Sequence, residues 1–254
     1  MKRIIRKLKK IFKPTTREEF PYIYTQKEFG LSFHINNSIG KFRLQEWGGE
    51  KDYVTEVMGN LNEDDVFFDI GASVGLYSTI AAKILTKGSV VSFEPDPENL
   101  KFLTENLQLN NLENFSLQNL AVGEKNETMK LYTAGSNAFS PSLQKINGID
   151  SFIEVAVRSI DDLLAEGKIP SPTVVKIDIE GAEMIALKGM RKTLAADNRP
   201  RLLFIEIHPD FLPAFDSSPE EILEYLESFK YSLAEKTQRD NQILCKLVSH
   251  PSRG

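Results

Sequence analysis

The sequence has little of what builds covalent cross-links or membrane spans. Cys245 is the only cysteine among 254 residues, which excludes an internal disulfide framework and a cysteine-ligated metal cluster and is typical of a reducing compartment. No apolar run approaches the length of a membrane-spanning helix. We therefore expect a cytoplasmic protein, and a chain of this length is expected to form one domain with some elaboration.

Acidic residues are absent from the first 13 positions. This stretch holds seven Lys or Arg, whereas the rest of the chain has 24 basic against 36 acidic residues. Ile4, Leu8 and Phe12 share one helical face and Pro14 ends the pattern, so residues 1–14 are predicted to form a basic amphipathic helix. Two interpretations stay open: peripheral contact of residues 1–13 with an anionic membrane, at its inner face, or a solvated helix.

A buried strand, a glycine turn and a helix follow one another from Val66 to Ile84. All of residues 66–70 except Asp69 are apolar β-formers, and from Leu76 the apolar positions take a helical spacing. Gly71 and Gly75 allow positive φ angles and a close ligand approach, while the helix start offers unpaired N–H groups. The turn is therefore a candidate ligand site, with Asp69 at its mouth.

Three interpretations compete for this turn. A dinucleotide site needs G-x-G-x-x-G, but Ser73 replaces the middle glycine and the spacing differs. The letters GASVG also match the G-x-S-x-G elbow of serine hydrolases, which would use Ser73 with Asp178 and His208. The third interpretation is the acidic-x-Gly-x-x-x-Gly turn that binds S-adenosylmethionine (AdoMet).

The next strand favours AdoMet. The strand Ser89–Glu94 ends in a carboxylate, which is followed by Pro95. This carboxylate is positioned to accept hydrogen bonds from both ribose hydroxyls. The alternative is that Glu94 only caps the following helix. At the end of the strand after that, Phe115–Leu120, Asn119 and Ala121 are expected near the adenine, although a plain strand end is equally compatible.

Flanking segments predict further elements. Residues 15–64 are expected to contain a hairpin of Gly30–Ile35 with Lys41–Gln45 and a helix, Glu50–Leu61. Strands Met129–Thr133 and Phe152–Val157 flank a Ser-, Asn- and Gly-rich loop, residues 134–150. Because long loops inside compact domains are commonly functional, we interpret this one as a substrate lid carrying Asn137, Phe139, Ser140 and Ser142.

An acidic stretch, TVVKIDIEGAE, follows. The strand Val174–Ile177 ends in Asp178, Glu180 and Glu183 before a predicted helix, Ala182–Leu194. Like charges this close repel one another unless a cation, a basic partner or a sulfonium neutralises them. Lys176 could neutralise one of these carboxylates.

The later segments complete the expected fold. After the strand Arg201–Ile207, Glu206 and His208 share one face because strands have a period of two. A helix, Pro219–Phe229, and a hairpin, Tyr231–Glu235 with Gln242–Val248, complete one α/β domain with a doubly wound sheet and an antiparallel C-terminal hairpin.

The motifs DIGASVG, SFEP, SIDDL, VKIDIEGAE and IEIH resemble the FkbM family of AdoMet-dependent methyltransferases. The resemblance runs from about Asp65 to His208, with residues 65–254 as the AdoMet-binding domain. It implies a Rossmann-like seven-stranded sheet, AdoMet as methyl donor, and O-methylation of a sugar, glycolipid or small molecule rather than nucleic acid. The expected cofactor-binding residues are Asp69, Gly71, Ser73, Gly75, Glu94, Asn119, Ala121 and Asp178. Ser73 stands where the family often has Asn.

The family fold implies that four residues converge beside the methyl donor: Asp178, Glu180, Glu206 and His208. Two hypotheses explain how they activate the acceptor hydroxyl. His208 could act as a neutral general base oriented by Glu206 or Asp178. Alternatively, all four could hold Mg²⁺ or Mn²⁺ as a Lewis acid. We favour the metal-free base, since there is no compact ligand motif and the sulfonium offsets carboxylate charge. Glu206 and His208 could also merely end a strand, and the chain could bind AdoMet without catalysis.

Overall fold

The computed structural model describes residues 19–133, 141–145 and 150–250. Within them the strands, in chain order, are β1 (Tyr22–Gln26), β2 (Leu31–Ile35), β3 (Val66–Ile70), β4 (Ser89–Phe93), β5 (Phe115–Gln118), β6 (Ala121–Val122), β7 (Glu127–Tyr132), β8 (Phe152–Arg158), β9 (Val174–Ile177), β10 (Leu202–Ile207), β11 (Tyr231–Arg239) and β12 (Gln242–Ser249). The longer helices are α1 (Lys51–Gly59), α2 (Leu76–Ile84), α3 (Pro97–Leu109), α4 (Ile160–Ala165), α5 (Glu183–Lys188), α6 (Arg191–Ala195) and α7 (Pro219–Ser228).

A seven-stranded sheet forms the centre, in the order β11-β12-β10-β9-β3-β4-β5. The five strands from β10 to β5 are parallel, and β12 and β11 add an antiparallel hairpin. This confirms the predicted Rossmann-like sheet with its C-terminal hairpin. Since β3 lies between β9 and β4, the carboxyl ends of these three strands and of β10 meet at one edge, where ligands bind in such sheets.

Both faces of the sheet are covered. Alternate residues of each strand enter different cores: Phe67 and Phe204 pack with α1, α2, α3 and β2, whereas Phe68 and Ile205 pack with α4, α5, α6 and α7. The N-terminal elements thus share a core with the sheet. Burial on both faces explains why the central strands are continuous apolar runs rather than alternating ones.

The N-terminal hairpin was predicted with the wrong partner. It is formed by β1 and β2, whereas Lys41–Gln45 is one turn of π-helix. Asn37 decides this, because its side chain accepts the N–H of Gly40 and starts a short helical turn just before that segment. Leu44 is buried in the helical turn, so one apolar pattern fits two conformations.

The helix predicted at Ala182–Leu194 is divided in two. It breaks at Gly189 between α5 and α6, where an added Cβ would lie 2.0 Å from the carbonyl oxygen of Gly123. The strand pair β7–β8 matches its prediction, but the short β6 joins it in an unpredicted three-stranded sheet.

Some predicted features lie outside the described residues: the basic helix of residues 1–14, and Asn137, Phe139 and Ser140 of the proposed lid. Ser142 is described, is buried, and pairs through its backbone with Tyr132. Among the described residues no helix is both long enough and apolar enough to cross a membrane.

Candidate functional site

The glycine turn after β3 is packed against the end of β9. Gly71 has φ +85°, and a Cβ there would lie 1.9 Å from the carbonyl oxygen of Asp178. The N–H groups of Gly71 and Ala72 both donate to the carbonyl of Phe93, 3.0 and 3.1 Å away. Gly75, with φ +92°, begins α2. Only glycine permits both the positive φ at residue 71 and this contact.

The carboxylate of Glu94 closes the other side of the turn. One oxygen accepts the N–H of Ser73 at 2.7 Å and the other that of Asp96 at 2.9 Å, so each keeps a lone pair for a further donor. Burial raises the pKa of Glu94 to about 7, although both backbone bonds oppose the shift. Asp96 also lines a cavity, together with Arg43 and Val74 among others. The free lone pairs of the Glu94 carboxylate suit the ribose hydroxyls expected of AdoMet, and their contact stays a prediction.

Asn119 and Ala121 are placed differently. The Asn119 amide donates to the backbone carbonyl oxygens of Glu94 and Pro95. It therefore stabilises the loop that carries Glu94, the carboxylate proposed to bind the ribose. Ala121 lies in β6, where its methyl packs with Leu131 and Val157. Their proposed contact with adenine stays a prediction.

Asp69 supports the turn from inside the protein. It is 0% exposed; one oxygen accepts the Ser78 hydroxyl at 2.6 Å and the other lies 3.4 Å from the ammonium of Lys176. Lys176 is also buried and reaches Asp178 at 3.3 Å. Lys176 therefore joins the acid of the cofactor turn to the acidic loop after β9.

Asp178, Glu180, Glu206 and His208 converge at the ends of β9 and β10. The Nε2 atom of His208 lies 3.6 Å from Asp178 Oδ1, 3.6 Å from Glu180 Oε2 and 3.7 Å from Glu206 Oε1. Burial alone would raise the pKa of Asp178, but Lys176 and His208 outweigh burial and lower it. The structure thus brings together the residues proposed to activate the acceptor.

The residue that orients His208 is not the one expected. Its Nδ1 atom is 2.7 Å from Glu183 Oε1, whereas Asp178 and Glu206 both face Nε2. The positive φ angles of Glu180 and Gly181, +50° and +98°, turn the chain so that Glu183 returns beneath the imidazole. The expected orienting role of Asp178 or Glu206 is therefore corrected to Glu183.

The protonation of His208 also differs from the neutral base expected. Burial would lower its pKa, but the hydrogen bond to Glu183 and the charges of Glu180 and Asp178 raise the pKa to about 10. The ligand-free imidazole is therefore cationic at neutral pH. In that state it holds a proton and cannot accept one.

Arg239 and Glu50 are site residues that sequence analysis missed. Arg239, near the end of β11, lies 2.6 Å from Glu206 and 2.8 Å from Glu50, and the hydroxyl of Tyr77 donates to Glu50 at 2.9 Å. Burial and the charge of Asp178 raise the pKa of Glu206 to about 9. No local motif marks either residue, because the chain segments that carry them meet only through the fold.

Ser73 is not arranged as a nucleophile. Its hydroxyl accepts a hydrogen bond from Arg43, and within the described chain no hydrogen bond joins it to His208. A Ser-His-Asp system requires that contact between nucleophile and base. The serine hydrolase alternative is therefore wrong.

Comparisons with known proteins give the family and the fold. The model of the family described as Methyltransferase FkbM domain matches residues 69–233. The hexuronic acid methyltransferase AglP of Haloferax volcanii is 28% identical over 217 residues, 84% of this chain and 82% of AglP. The 2-O-methyltransferase NoeI of Sinorhizobium fredii is 24% identical, covering 66% of this chain and 73% of NoeI. The solved structure of a fibrillarin/NOP5p complex aligns with a TM-score of 0.52 at 11% identity, over 89% of this chain and 91% of that one, a likeness of fold alone.

Proposed function

The chain belongs to the FkbM family of AdoMet-dependent methyltransferases, because the family model matches residues 69–233, and on that basis we propose that it methylates a hydroxyl group of a sugar. Two of its relatives are named for such chemistry: AglP for a hexuronic acid and NoeI for 2-O-methylation. A free sugar, a glycolipid or another small glycoside would each present the same reacting group.

The acidic cluster supports a hydroxyl rather than a carboxylate acceptor. A hexuronic acid offers both groups, and methylation of its carboxylate would need no base. Asp178 and Glu180 are partly exposed, 26% and 20%, at the end of β9, so a third carboxylate approaching them would be repelled. A neutral hydroxyl instead donates a hydrogen bond to either one. This observation carries the proposal.

AdoMet supplies an electrophilic methyl group: the acceptor oxygen forms the new bond to carbon while the electrons of the carbon–sulfur bond return to sulfur, giving S-adenosylhomocysteine. Either Asp178 or Glu180 accepts the hydroxyl proton and passes it to solvent. His208 and Glu206 hold this cluster in place, Glu206 through Arg239. Much of the rate enhancement then comes from positioning and from excluding water.

Product chemistry tests the proposal. Protein incubated with methyl-labelled AdoMet, glucose, glucuronic acid and methyl glucuronate is expected to give label that resists mild alkali, as ethers do. Asp178→Asn should reduce that label at least about 100-fold, the lower end for loss of a proton-accepting group. Alkali-labile label would show that the carboxylate is the acceptor, and the absence of label from all sugars and glycolipids offered would reject a sugar acceptor.

Cofactor binding should weaken as pH falls through 7. The ribose hydroxyls donate to ionised Glu94, whose pKa is about 7 and which faces Asp96 and Arg43; binding is therefore favoured above that pKa and lost below it. The dissociation constant of S-adenosylhomocysteine should rise about tenfold from pH 8 to pH 6 by proton linkage. Calorimetry with Glu94→Gln is the control, since that variant should bind more weakly and lack this step. Equal affinity of the unaltered protein at both pH values would contradict the prediction.

We also propose a cytoplasmic enzyme that contacts the inner face of an anionic membrane through residues 1–13, which would suit a lipid-linked sugar. Each basic residue near such a surface contributes about 1 kcal/mol at low salt. On anionic vesicles, full-length protein should sediment more than a version starting at Thr15, and 0.5 M salt should remove the difference. Equal sedimentation at low salt would refute the contact.

A further inference from the structure

The Nε2 nitrogen of His208 faces two carboxylates, and the proton that it carries in the ligand-free protein would be released when a metal ion binds, because the ligand form of His is neutral imidazole. His208 is 2% exposed, and its Nε2 atom has no hydrogen-bond partner among the described residues. The oxygens nearest to it, from Asp178 and Glu180, are each 3.6 Å away, too far for a hydrogen bond. A buried polar atom without a partner requires an explanation.

The spacing of these three atoms suits a single ion. Asp178, Glu180 and His208 each offer one ligand atom, and all three lie within 4.8 Å of one another. Ligands about 2.1 Å from one ion lie roughly 3.0–3.5 Å apart at octahedral or tetrahedral angles. The observed separations need to contract only modestly.

The other ring nitrogen has the partner that a metal ligand needs. Nδ1 is 2.7 Å from Glu183, which is itself 0% exposed and also accepts the N–H of Gly181 at 3.0 Å. Metal-binding histidines almost always donate this second N–H to a carboxylate or carbonyl, which fixes the ring and makes Nε2 the ligand.

Two neighbouring cations contact other atoms of the cluster. Lys176 approaches the second oxygen of Asp178, Oδ2, rather than the Oδ1 that faces His208. Arg239 donates to Glu206, the fourth residue of the cluster. We therefore leave Glu206 out of the ligand set.

We propose that Asp178, Glu180 and His208 bind one divalent metal ion, which coordinates and activates the acceptor hydroxyl. The activating role rests on the proposed function; the binding site does not. One imidazole with two carboxylates suits an ion such as Mn²⁺ better than Mg²⁺, which prefers oxygen ligands and retains water. With the ion bound, Asp178 and Glu180 would act as its ligands and would not take the proton themselves. A coordinated hydroxyl would have a lowered pKa and would lose its proton to solvent before its oxygen attacks the methyl group. This departs from the metal-free base that the sequence favoured.

Electron paramagnetic resonance of free Mn²⁺ tests binding without any acceptor. Chelated and dialysed full-length protein is expected to remove one equivalent of Mn²⁺ from solution. Glu183→Gln keeps the size of the side chain but weakens its hydrogen bond to His208, so it should reduce the affinity for Mn²⁺ about 10–100-fold. His208→Ala should reduce that affinity at least as much. His250→Ala is the matched control, because that imidazole is exposed and is hydrogen-bonded to the Ser232 hydroxyl, far in sequence from the proposed ligands. No binding by unaltered protein up to 1 mM Mn²⁺, roughly the weakest specific divalent sites known, or equal binding by His208→Ala, would overturn the site.

Turnover separates the site from its role. Activity on the sugar acceptor should disappear on chelation and return with Mn²⁺, and full activity of the metal-free protein would overturn the activating role. If Mn²⁺ binds as expected while no sugar or glycolipid is methylated, the proposed function fails and the metal site stands.

Discussion

Replacing Gly71 with alanine is expected to lower the free energy of unfolding by about 2–5 kcal/mol and to abolish measurable AdoMet binding. A left-handed conformation costs a non-glycine residue about 1–2 kcal/mol. The new Cβ would also lie 1.9 Å from the carbonyl oxygen of Asp178, and overpacking of this kind costs about 1–3 kcal/mol more. Urea denaturation and calorimetry with S-adenosylhomocysteine measure the two effects.

Gly167 provides a matched control for this prediction. Its φ angle is +67°, similar to the +85° of Gly71, but nothing lies within 4 Å of its hypothetical Cβ. Gly167→Ala should therefore show only the conformational cost and leave cofactor binding unchanged. If both variants lose the same stability, the contact with Asp178 contributes nothing and the argument from close approach fails.

Replacing Lys176 with methionine is expected to destabilise the protein by about 3–5 kcal/mol, the usual cost of leaving a buried charge without its partner. The ammonium group is 3% exposed, lies 3.4 Å from Asp69 and 3.3 Å from Asp178, and sits 4.5 Å above the ring of Tyr77. Methionine fills a similar volume, so the loss reports charge rather than packing. Urea denaturation at neutral pH gives the value.

A second substitution tests whether the loss of stability in Lys176→Met comes from leaving the charge of Asp69 without a partner. Lys176→Met combined with Asp69→Asn should be more stable than Lys176→Met alone, because the amide carries no charge and can keep the bond to Ser78. Lys101→Met is the surface control: its pair with Glu105 is 3.9 Å long and the lysine is 70% exposed, so it should cost less than 1 kcal/mol. A cost for Lys176→Met no larger than for Lys101→Met would show that the buried pairs are not needed.

The central sheet and the cofactor turn could be predicted because their signals are local. Apolar runs ending in Asp69, Glu94 and Asp178 mark consecutive strand ends, and in a parallel sheet those ends share one edge. Lys41–Gln45 could not be assigned in the same way. Its apolar residues at alternate positions fit a strand or one helical turn, and the deciding contact, from Asn37, lies outside the pattern.

The electrostatics of the acidic cluster were beyond sequence analysis. The sequence pattern groups Glu183 with Asp178 and Glu180 before a helix, yet Glu183 contacts His208, 25 positions later in the chain. That contact requires the reversal at Glu180 and Gly181, and Gly181 was the one local sign of it. Because His208 is held by Glu183, its pKa rises instead of staying near 6.5. Residue type alone therefore does not indicate the protonation state of His208, and its role as a base stays a prediction.

Arg43 and Glu50 precede residue 69, where the match to the family model begins. Arg43 donates to the hydroxyl of Ser73 in the cofactor turn, and Glu50 pairs with Arg239 and accepts the hydroxyl of Tyr77. A version of the chain trimmed to residues 69–233 would lack Arg239 as well as Arg43 and Glu50, so Ser73 would lose the hydrogen bond from Arg43 and Glu206 would lose its ion pair with Arg239. The smallest unit able to carry the chemistry is therefore larger than the segment that the family model matches.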